Sequence, residues 1–454
     1  MPLARTCSVG LIGLHGHIVD IEADLSEGIP NFTMIGLPDT SVREARDRIR
    51  SALINSQQKW PMRRMTVALS PATLPKRGSG FDLALAVALL AAAGVVPAPP
   101  PADTVLLGEL GLDGSVRSLR GVLSSVLAAQ ESGHHRVIVP AGNVAEACLV
   151  PKVDVLGVAC LADLVAYLRG EDCRLLTGAA PVEEAPLPGP DLCDIVGQTQ
   201  GRRALEIAAA GGHHVYLQGP PGAGKTMLAE RLSGILPLLA DDEALEVTAI
   251  HSVAGTLPAG SPFVRRPPYE SPHHTSSTAS IVGGGSGVAR PGAISRAHRG
   301  VLFLDEAPEF ATGVLDALRQ PLESGHVTLH RSGGRTRYPA AFQLVLAANP
   351  CPCASPAGDQ ACVCTSWARR RYLSRLSGPL LDRIDLHVPL LPVTRQALLG
   401  AEAAESSAVV ALRVAQARDA AAERLSVDGL RRNADVPGRR CDVVGDCPGR
   451  RWRG

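Results

Sequence analysis

The sequence has few aromatic residues, almost no net charge and no apolar run of membrane-spanning length. Aromatic residues make up 3% of its 454 positions, which leaves few rings on which unpaired bases could stack. A formal net charge of +1 argues neither for nor against a polynucleotide partner, so contact with one would depend on arginines and backbone amides. The most apolar run, residues 81–96, contains Asp82 and is shorter than the ~20 residues that cross a bilayer. We therefore expect a buried helix there and no membrane partner.

The N-terminus also lacks the continuous apolar core of a signal peptide. Gly10, Gly13, His15 and His17 interrupt its apolar residues, so we expect no secretory signal and a cytoplasmic protein. The 11 cysteines then indicate reduced thiols or metal ligands rather than disulfides. Hydrophobic residues at 45% and charged residues at 20% are ordinary for globular proteins. The length predicts two or three domains.

The composition changes at residues 178–190, which are rich in proline, alanine and glycine and have no hydrophobic period. This is typical of a linker. Before it, short β-like runs alternate with helical ones, which predicts a mixed α/β region over residues 1–177. After it, continuous apolar strands are predicted at residues 215–218, 301–304 and 343–348. Such strands, separated by helices, favour a parallel sheet buried on both faces.

The residues after the first of these strands match the pattern G-x-x-x-x-G-K-[ST] of a phosphate-binding loop, followed by a predicted helix. Its glycines would let backbone N–H groups surround phosphates at a helix N-terminus. We expect Lys225 to reach the β- and γ-phosphates of ATP and Thr226 to place its hydroxyl on Mg²⁺. The alternative is a glycine-rich loop that binds no nucleotide. The loop consists of Gly219, Pro220, Pro221, Gly222, Ala223, Gly224, Lys225 and Thr226.

Polar side chains end the other two strands. Asp305 and Glu306 follow residues 301–304, which places them at the carboxyl edge of the sheet beside the phosphate-binding loop. We expect Asp305 to hold Mg²⁺ through water and Glu306 to polarise the attacking water, the alternative being a solvated turn. Asn349 follows residues 343–348. It could orient that water or sense the γ-phosphate, or else cap the following turn.

Two arginines in residues 375–385 could act on a neighbouring subunit. An arginine supplied in trans can stabilise transition-state charge on the γ-phosphate. We favour Arg383 over Arg375 for this role. The alternative is a surface salt bridge with Asp382 or Asp385.

Two Cys-x-Cys pairs lie shortly after Asn349. Four thiolates from one hairpin could close a tetrahedral Zn²⁺ site. Cys-x-Cys is less typical of zinc than Cys-x-x-Cys, so reduced, unliganded cysteines are the alternative. His273 and His274 have no carboxylate or cysteine pair nearby in sequence, and we expect them to hydrogen-bond rather than bind metal. The four cysteines are Cys351, Cys353, Cys362 and Cys364.

Together these motifs resemble the YifB/ComM family of magnesium-chelatase-like AAA+ ATPases. The resemblance implies a homo-hexameric ring with nucleotide sites at subunit interfaces, and Ile195 and Val196 against the adenine. It also implies an inserted hairpin, residues 271–287, that lines the pore, as in the branch shared with replicative helicases and magnesium chelatase. The matching segments are D-I-V-G-Q at 194–198, S-P-H-H-T at 271–275, V-G-G-G at 282–285, P-G-A-I-S at 291–295, F-L-D-E-A-P-E-F at 303–310, N-P-C-P-C at 349–353 and residues 375–385.

The N-terminal part resembles the non-AAA domain of Lon protease, a ribosomal-protein-S5-like fold, through residues 75–83 and 108–110. A protease would need a serine nucleophile and a lysine base. Gly78 and Leu123 stand at those positions, so the resemblance implies a scaffold or substrate-engaging domain without the dyad. Ser79 and Lys76 lie close by and keep proteolysis as an alternative.

The predicted fold class is therefore α/β. A Lon/S5-like α/β domain without protease dyad, residues 1–177, and a linker, residues 178–193, precede a P-loop AAA+ parallel-sheet domain, residues 194–395. Residues 396–454 would form an incomplete C-terminal helical lid and a disordered tail, because family-like sequence fades after Pro437 and no lid arginine can be named. Ala293 stands where an acidic residue is usual.

The leading functional hypothesis is an ATP-driven ring motor that acts on DNA, in branch migration or unwinding during recombination or DNA uptake. ATP hydrolysis follows from the residues, whereas DNA follows only from the resemblance. One rival is a chelatase-like motor that remodels a partner protein. The other is a subunit that binds nucleotide with little turnover.

Overall fold

The computed structural model of the chain describes residues 3–96, 103–173, 175–178, 189–258, 262–285, 289–331, 334–354, 362–392 and 404–436. Of the two largest sheets in these ranges, one lies before the predicted linker and the other lies after it. No helix among the described residues is both long enough and apolar enough to cross a membrane.

Residues 3–178 form a mixed α/β region. Its strands are β1 (Leu3–Ile12), β2 (His15–Ser26), β3 (Asn31–Ile35), β4 (Arg64–Ser70), β5 (Thr104–Leu106), β6 (Glu109–Leu110), β7 (Val116–Arg117), β8 (Arg136–Pro140), β9 (Asp154–Val158) and β10 (Leu176–Thr177). Its helices are α1 (Thr40–Arg43), α2 (Ala45–Asn55), α3 (Asp82–Ala92), α4 (Val122–Glu131), α5 (Val144–Ala147) and α6 (Leu161–Leu168).

Eight of these strands form one sheet in the order β10-β9-β8-β5-β1-β2-β4-β3. The long antiparallel hairpin β1–β2 lies inside it, flanked by the parallel pair β1–β5 and the antiparallel pair β2–β4. Helix α3 is buried over almost its whole length, because its Ala/Leu sequence has no polar face to expose. The buried helix predicted for residues 81–96 is therefore present.

The second region begins after the predicted linker. Its strands are β11 (Val215–Gln218), β12 (Tyr269–Glu270), β13 (Gly283–Gly284), β14 (Arg290–Pro291), β15 (Val301–Leu304), β16 (His326–Arg331), β17 (Gly334–Pro339), β18 (Gln343–Ala348) and β19 (Leu386–Pro389). Its helices are α7 (Thr199–Gly211), α8 (Lys225–Ile235), α9 (Asp241–Ala254), α10 (Thr278–Val282), α11 (Ala293–Arg296), α12 (Thr312–Ala317), α13 (Arg319–Ser324), α14 (Ser366–Leu373), α15 (Gly378–Leu381) and α16 (Ser407–Leu425).

Its main sheet is wholly parallel, in the order β12-β15-β18-β11-β19. Both faces are buried, because alternate residues of each strand enter different cores. Val215 and Leu217 pack with residues of α7, α8 and α16, whereas Tyr216 packs on the opposite face with residues of α11, α12 and α15. The three predicted apolar strands are confirmed as β11, β15 and β18, and they bring their carboxyl ends to one edge.

Several segments differ from the prediction or fall outside it. The described part of residues 271–287, expected to be an inserted hairpin, contains α10 and the short strand β13, which pairs with β14. The hairpin β16–β17 was not predicted. Helix α16 lies within residues 396–454, the segment expected to form an incomplete helical lid and a disordered tail. Residues 179–188 of the linker, 286–288 of the insertion, 393–403 and the tail 437–454 lie outside the described residues.

The two regions contact each other through α4 and α9. Ala249 of α9 is 6% exposed and belongs to a core built mainly by the N-terminal region. Glu146 accepts hydrogen bonds from the Leu123 N–H at 2.8 Å and from the Ser252 hydroxyl of α9. A buried carboxylate thus joins the N-terminal region to a helix of the second region.

Candidate nucleotide-binding site

The predicted phosphate-binding loop connects β11 to α8. The strand ends at Gln218 and the helix begins at Lys225, with Gly224 as its N-cap. Gly222 and Gly224 have φ values of 77° and 86°, a left-handed conformation that glycine adopts without steric cost. A Cβ built on either glycine would meet nothing within 4 Å, so the loop borders open space at the helix N-terminus. That is the arrangement in which backbone N–H groups can receive a phosphate.

Lys225 folds back over this loop. Its ammonium donates hydrogen bonds to the carbonyl oxygens of Gly219 at 2.7 Å and Pro220 at 2.9 Å, and to Asn349 Oδ1 at 2.9 Å. Burial lowers the pKa of Lys225, and the carboxylates of Asp305 and Glu306 oppose that shift. The three hydrogen-bond acceptors are neutral, so they leave the positive charge available to an anion.

Thr226 and Asp305 come together across the edge of the sheet. The Thr226 hydroxyl donates to Asp305 Oδ2 at 2.8 Å. A hydroxyl and a carboxylate beside a phosphate-binding loop are oxygen ligands of the kind that Mg²⁺ prefers. The open loop, the lysine and this oxygen pair fit ATP with Mg²⁺, which Thr226 and Asp305 would hold.

Glu306 adopts an unusual backbone conformation. Its φ is 50°, in the left-handed region that non-glycine residues seldom occupy. Its N–H donates to Asp305 Oδ1 at 2.9 Å, and its Oε2 lies 3.3 Å from Nδ1 of His274. His274 therefore joins the predicted insertion to the predicted water-polarising carboxylate. Sequence reasoning expected hydrogen bonds from His274 and did not identify Glu306 as the partner.

Asn349 lies where the strand prediction put it, just beyond β18. It is 8% exposed, and its side chain accepts from Lys225. On α14, burial raises the pKa of Tyr372 to about 12. The ammonium of Lys225 therefore holds the Asn349 side chain at the phosphate-binding loop.

The segment before α7 approaches the same loop. Ile195 is 3% exposed and packs in the core of the second region, whereas Val196 is half-buried. Gln198, with φ of 48°, donates from Nε2 to the Ala223 carbonyl at 2.9 Å and to the Leu391 carbonyl at 2.6 Å. Gln198 thus links the segment that carries Ile195 and Val196 to the phosphate-binding loop. Its place in the segment D-I-V-G-Q was the available signal, but its role was missed.

The two candidate arginines have partners in their own chain. Arg383 pairs with Glu323 and donates to the Pro379 carbonyl at 2.6 Å. Arg375 donates to the Pro308 carbonyl at 2.9 Å and to Glu309 Oε2 at 3.1 Å. Their acidic partners are Glu323 and Glu309, rather than Asp382 or Asp385, which were considered as partners in a surface salt bridge. Asp385 instead lies 3.2 Å from Nδ1 of His213.

The residues considered for a protease dyad, Ser79 and Lys76, do not hydrogen-bond to each other. Ser79 donates to the Glu109 carboxylate, and the buried Lys76 ammonium donates to the Pro71 carbonyl. Leu123 is fully buried. A serine nucleophile needs a base within hydrogen-bond reach, and the hydrogen bonds of Ser79 and Lys76 run to other residues.

The four cysteines predicted as metal ligands converge between β18 and α14. Their sulfur atoms all lie within 4.8 Å of one another. Cys351 is buried, Cys353 is exposed, and Cys362 and Cys364 are half-buried.

Comparison with protein families agrees with this geometry. Residues 191–398 match the family model described as magnesium chelatase, subunit ChlI, and residues 21–143 match a second model described as subunit ChlI of Mg-chelatase. The first match covers the parallel sheet and every residue of the candidate nucleotide site. Part of the chain is also similar to Lon protease 1 of Thermus thermophilus, which matches at 27% identity over 144 residues, 30% of this chain and 18% of its own length.

Relatives extend the similarity over nearly the whole chain. An uncharacterized protein of Mycobacterium tuberculosis is 54% identical over 438 residues, 96% of this chain and 86% of its own length. The Escherichia coli protein YifB is 44% identical over 424 residues, covering 92% and 82%. Competence protein ComM of Haemophilus influenzae is 43% identical over 431 residues, covering 93% and 84%. The chain therefore belongs to the YifB/ComM family of magnesium-chelatase-like AAA+ proteins.

Proposed function

We propose that this chain is an ATP-hydrolysing ring motor that acts on DNA. The observation that carries the ATPase part is the position of Lys225. Its buried ammonium bridges the phosphate-binding loop and Asn349 at 2.7–2.9 Å, beside the Thr226–Asp305 oxygen pair. Lysine, hydroxyl, carboxylate and amide at one edge of a parallel sheet are the parts that phosphoryl transfer from ATP needs.

Each residue has a separate task in this proposal. Lys225 and the first N–H groups of α8 would bind the phosphates, because both present positive charge to the same open space. Glu306 would accept the proton of the attacking water, and Asn349 would orient that water. Mg²⁺, when bound by Thr226 and Asp305, supplies positive charge that neutralises the phosphates. Ile195 and Val196 would border the adenine.

Glu306 also connects hydrolysis to the insertion. His274 lies between α9 and α10 and contacts the Glu306 carboxylate at 3.3 Å. Its ring packs against His273 with centroids 4.1 Å apart and meets Phe310 edge-on at 6.5 Å. Movement of the insertion would therefore displace the group that faces the attacking water. This contact gives a substrate in the pore a physical route to the hydrolysis site.

DNA is the proposed substrate because of one exposed face of the β16–β17 hairpin. His330 pairs with Arg335 and Thr328 with Arg337 in its register. Val327 and Leu329 point into the core, while His330, Arg335 and Arg337 are exposed. The two arginines on this face supply positive charge that suits a phosphate backbone. The relative named competence protein also fits this substrate, since competence is the capacity of bacteria to take up DNA.

The proposed setting is a homo-hexamer in the cytoplasm. Arg383 would leave Glu323 and serve the nucleotide site of the neighbouring subunit. Residues 1–177 would act as a scaffold or substrate-engaging domain, and residues 404–436 as part of a helical lid. Arg413 of α16 lies 2.8 Å from Glu206 of α7, which supports a lid seated beside the nucleotide site.

Nucleotide binding by a lysine variant tests the site itself. Lys225→Ala should weaken Mg²⁺-dependent ATP binding by at least tenfold, because the phosphates lose their main cationic contact. The matched control is Lys59→Ala, which removes an exposed lysine of the N-terminal region and should bind ATP like the wild type. Titration calorimetry measures both. Equal affinity for ATP in the wild type and in Lys225→Ala would refute the assignment.

A further inference from the structure

Four cysteine side chains meet outside the nucleotide site. The Sγ atoms of Cys351 and Cys353 are 3.2 Å apart, those of Cys353 and Cys362 are 3.6 Å apart, and those of Cys362 and Cys351 are 3.3 Å apart. Cys364 lies within 4.8 Å of all three. These separations are well beyond the ~2.05 Å of a disulfide. The four cysteines thus join two chain segments, one that follows β18 and one that precedes α14.

We infer that Cys351, Cys353, Cys362 and Cys364 bind one zinc ion through their thiolates. Zn–S bonds of about 2.3 Å in a tetrahedron place the four sulfur atoms about 3.8 Å apart, close to the separations observed. Four sulfur ligands in a tetrahedron are typical of zinc or of iron–sulfur sites. In the described part of the chain, this is the one group of three or more His, Cys, Asp and Glu side chains that converges in this way.

A cluster of several irons suits the separations less well. Its cysteines bind different iron atoms, so their sulfurs must stand farther apart than the ligands of a single ion. In the inferred tetrahedron each Cys-x-Cys pair supplies two of the four ligands, Cys351 and Cys353 from one segment and the half-buried Cys362 and Cys364 from the other.

The ion has a structural role, because four cysteines leave no open coordination position for a substrate. On binding, each thiol gives up its proton and the sulfur donates an electron pair to the metal. The bonds join the segment that leaves β18 at Asn349 to the segment that starts α14. Zinc thereby holds the residues that follow β18 beside those that precede α14.

Metal content of the full chain tests the inference directly. Protein saturated with Zn²⁺ and then freed of excess metal should contain about one zinc ion per chain, as measured by inductively coupled plasma mass spectrometry. Each single change Cys351→Ser, Cys353→Ser, Cys362→Ser or Cys364→Ser should lose most of it. Cys193→Ser is the matched control, since Cys193 is exposed and stands apart from the cluster; that variant should keep its zinc.

A second measurement uses the wild-type sequence, in case a serine variant fails to fold. Replacing zinc with Co²⁺ should give the visible absorption of a tetrahedral cobalt–thiolate centre. Absence of both zinc and that absorption would overturn the inference, as would iron in place of zinc or full zinc content in the four serine variants. None of these readouts involves ATP, so the zinc site and the proposed ATPase function can fail separately.

Discussion

At the residue scale, contacts within the site hold Glu306 in an unfavourable backbone conformation. Glu306 has a positive φ, which costs a non-glycine residue on the order of 1–3 kcal/mol. The Asp305 carboxylate fixes its N–H and His274 holds its side chain. Strain that neighbouring residues maintain in this way is common where a catalytic group must point in one direction. It ties the direction of the Glu306 carboxylate to two other residues of the site.

Glu306→Gln separates nucleotide binding from hydrolysis. Glutamine keeps the length of the side chain and can still meet His274, but it cannot accept the proton of water. ATP should therefore bind as in the wild type, while turnover falls roughly 10²–10⁴-fold, the range for loss of a general base. Phosphate release and calorimetry measure the two effects. An exposed control, Glu131→Gln, should change neither, and undiminished turnover in Glu306→Gln would show that another group activates the water.

His214 should make the stability of the chain depend on pH. Burial lowers the pKa of His214 from 6.5 to about 4, and its Nδ1 accepts from the Leu344 N–H at 3.0 Å. The unfolded chain therefore takes up a proton that the folded chain resists between these two pH values. The free energy of unfolding should fall as pH falls through that window, by up to about 1.4 kcal/mol per unit from this group. The loss levels off below pH 4.

His214→Asn isolates this effect. The asparagine Oδ1 can accept the same N–H bond but does not titrate. Urea unfolding at pH 7 and pH 5 should show a smaller acid loss of stability in His214→Asn than in the wild type. An exposed control, His135→Asn, should keep the wild-type loss. Equal acid losses in wild type and His214→Asn would mean that other groups cause them.

At the element scale, the sequence predicts some parts well and others poorly. The strands β11, β15 and β18 have the predicted bounds, because each is a continuous apolar run that ends at a glycine or a polar side chain. The β16–β17 hairpin was missed although Val327 and Leu329 alternate with polar residues ahead of the sequence Ser-Gly-Gly, a recognisable hairpin pattern. The contact of His274 with Glu306 could not be predicted, since it depends on tertiary packing between separate elements.

The exposed arginines of the hairpin should contribute to DNA binding. Changing Arg335 and Arg337 together to Ala removes two exposed cations from one face. Affinity for branched DNA should fall, and the dependence of log affinity on log salt should become shallower by about one for each phosphate that is no longer neutralised. The control changes Arg46 and Arg50, two exposed arginines of α2, to Ala and alters net charge equally. Fluorescence anisotropy at several salt concentrations measures both, and equal losses of affinity in both double variants would assign the effect to net charge alone.

At the scale of the whole molecule, the proposed motor depends on contacts between subunits. Arg383 pairs with Glu323 of its own chain, whereas the sequence suggested a choice between a partner subunit and the nearby acids Asp382 and Asp385. Glu323 belongs to α13, and only the fold brings it next to α15. Sequence reasoning therefore selected Arg383 without identifying Glu323 as its partner, and the action of Arg383 in trans stays a prediction. In the proposed ring this pair opens when Arg383 reaches the neighbouring site.

Mixing two inactive variants tests that arrangement. Arg383→Ala should bind ATP normally and hydrolyse it roughly 10³–10⁵-fold more slowly, as for loss of an arginine finger. Mixed with Lys225→Ala, it should regain activity, because about one quarter of the interfaces in a random ring combine an intact pocket with an intact arginine. Each variant alone is the control. Rings that contain both variants and stay inactive would rule out action in trans.

The most direct test of the proposed motor is phosphate release from ATP by the purified full chain, with and without branched DNA. We predict Mg²⁺-dependent release that DNA accelerates several-fold and that Lys225→Ala abolishes. An equal rate of phosphate release with and without DNA would contradict the proposed DNA substrate and favour a motor that remodels a partner protein. ATP binding without phosphate release under either condition would contradict the central claim and identify a nucleotide-binding subunit.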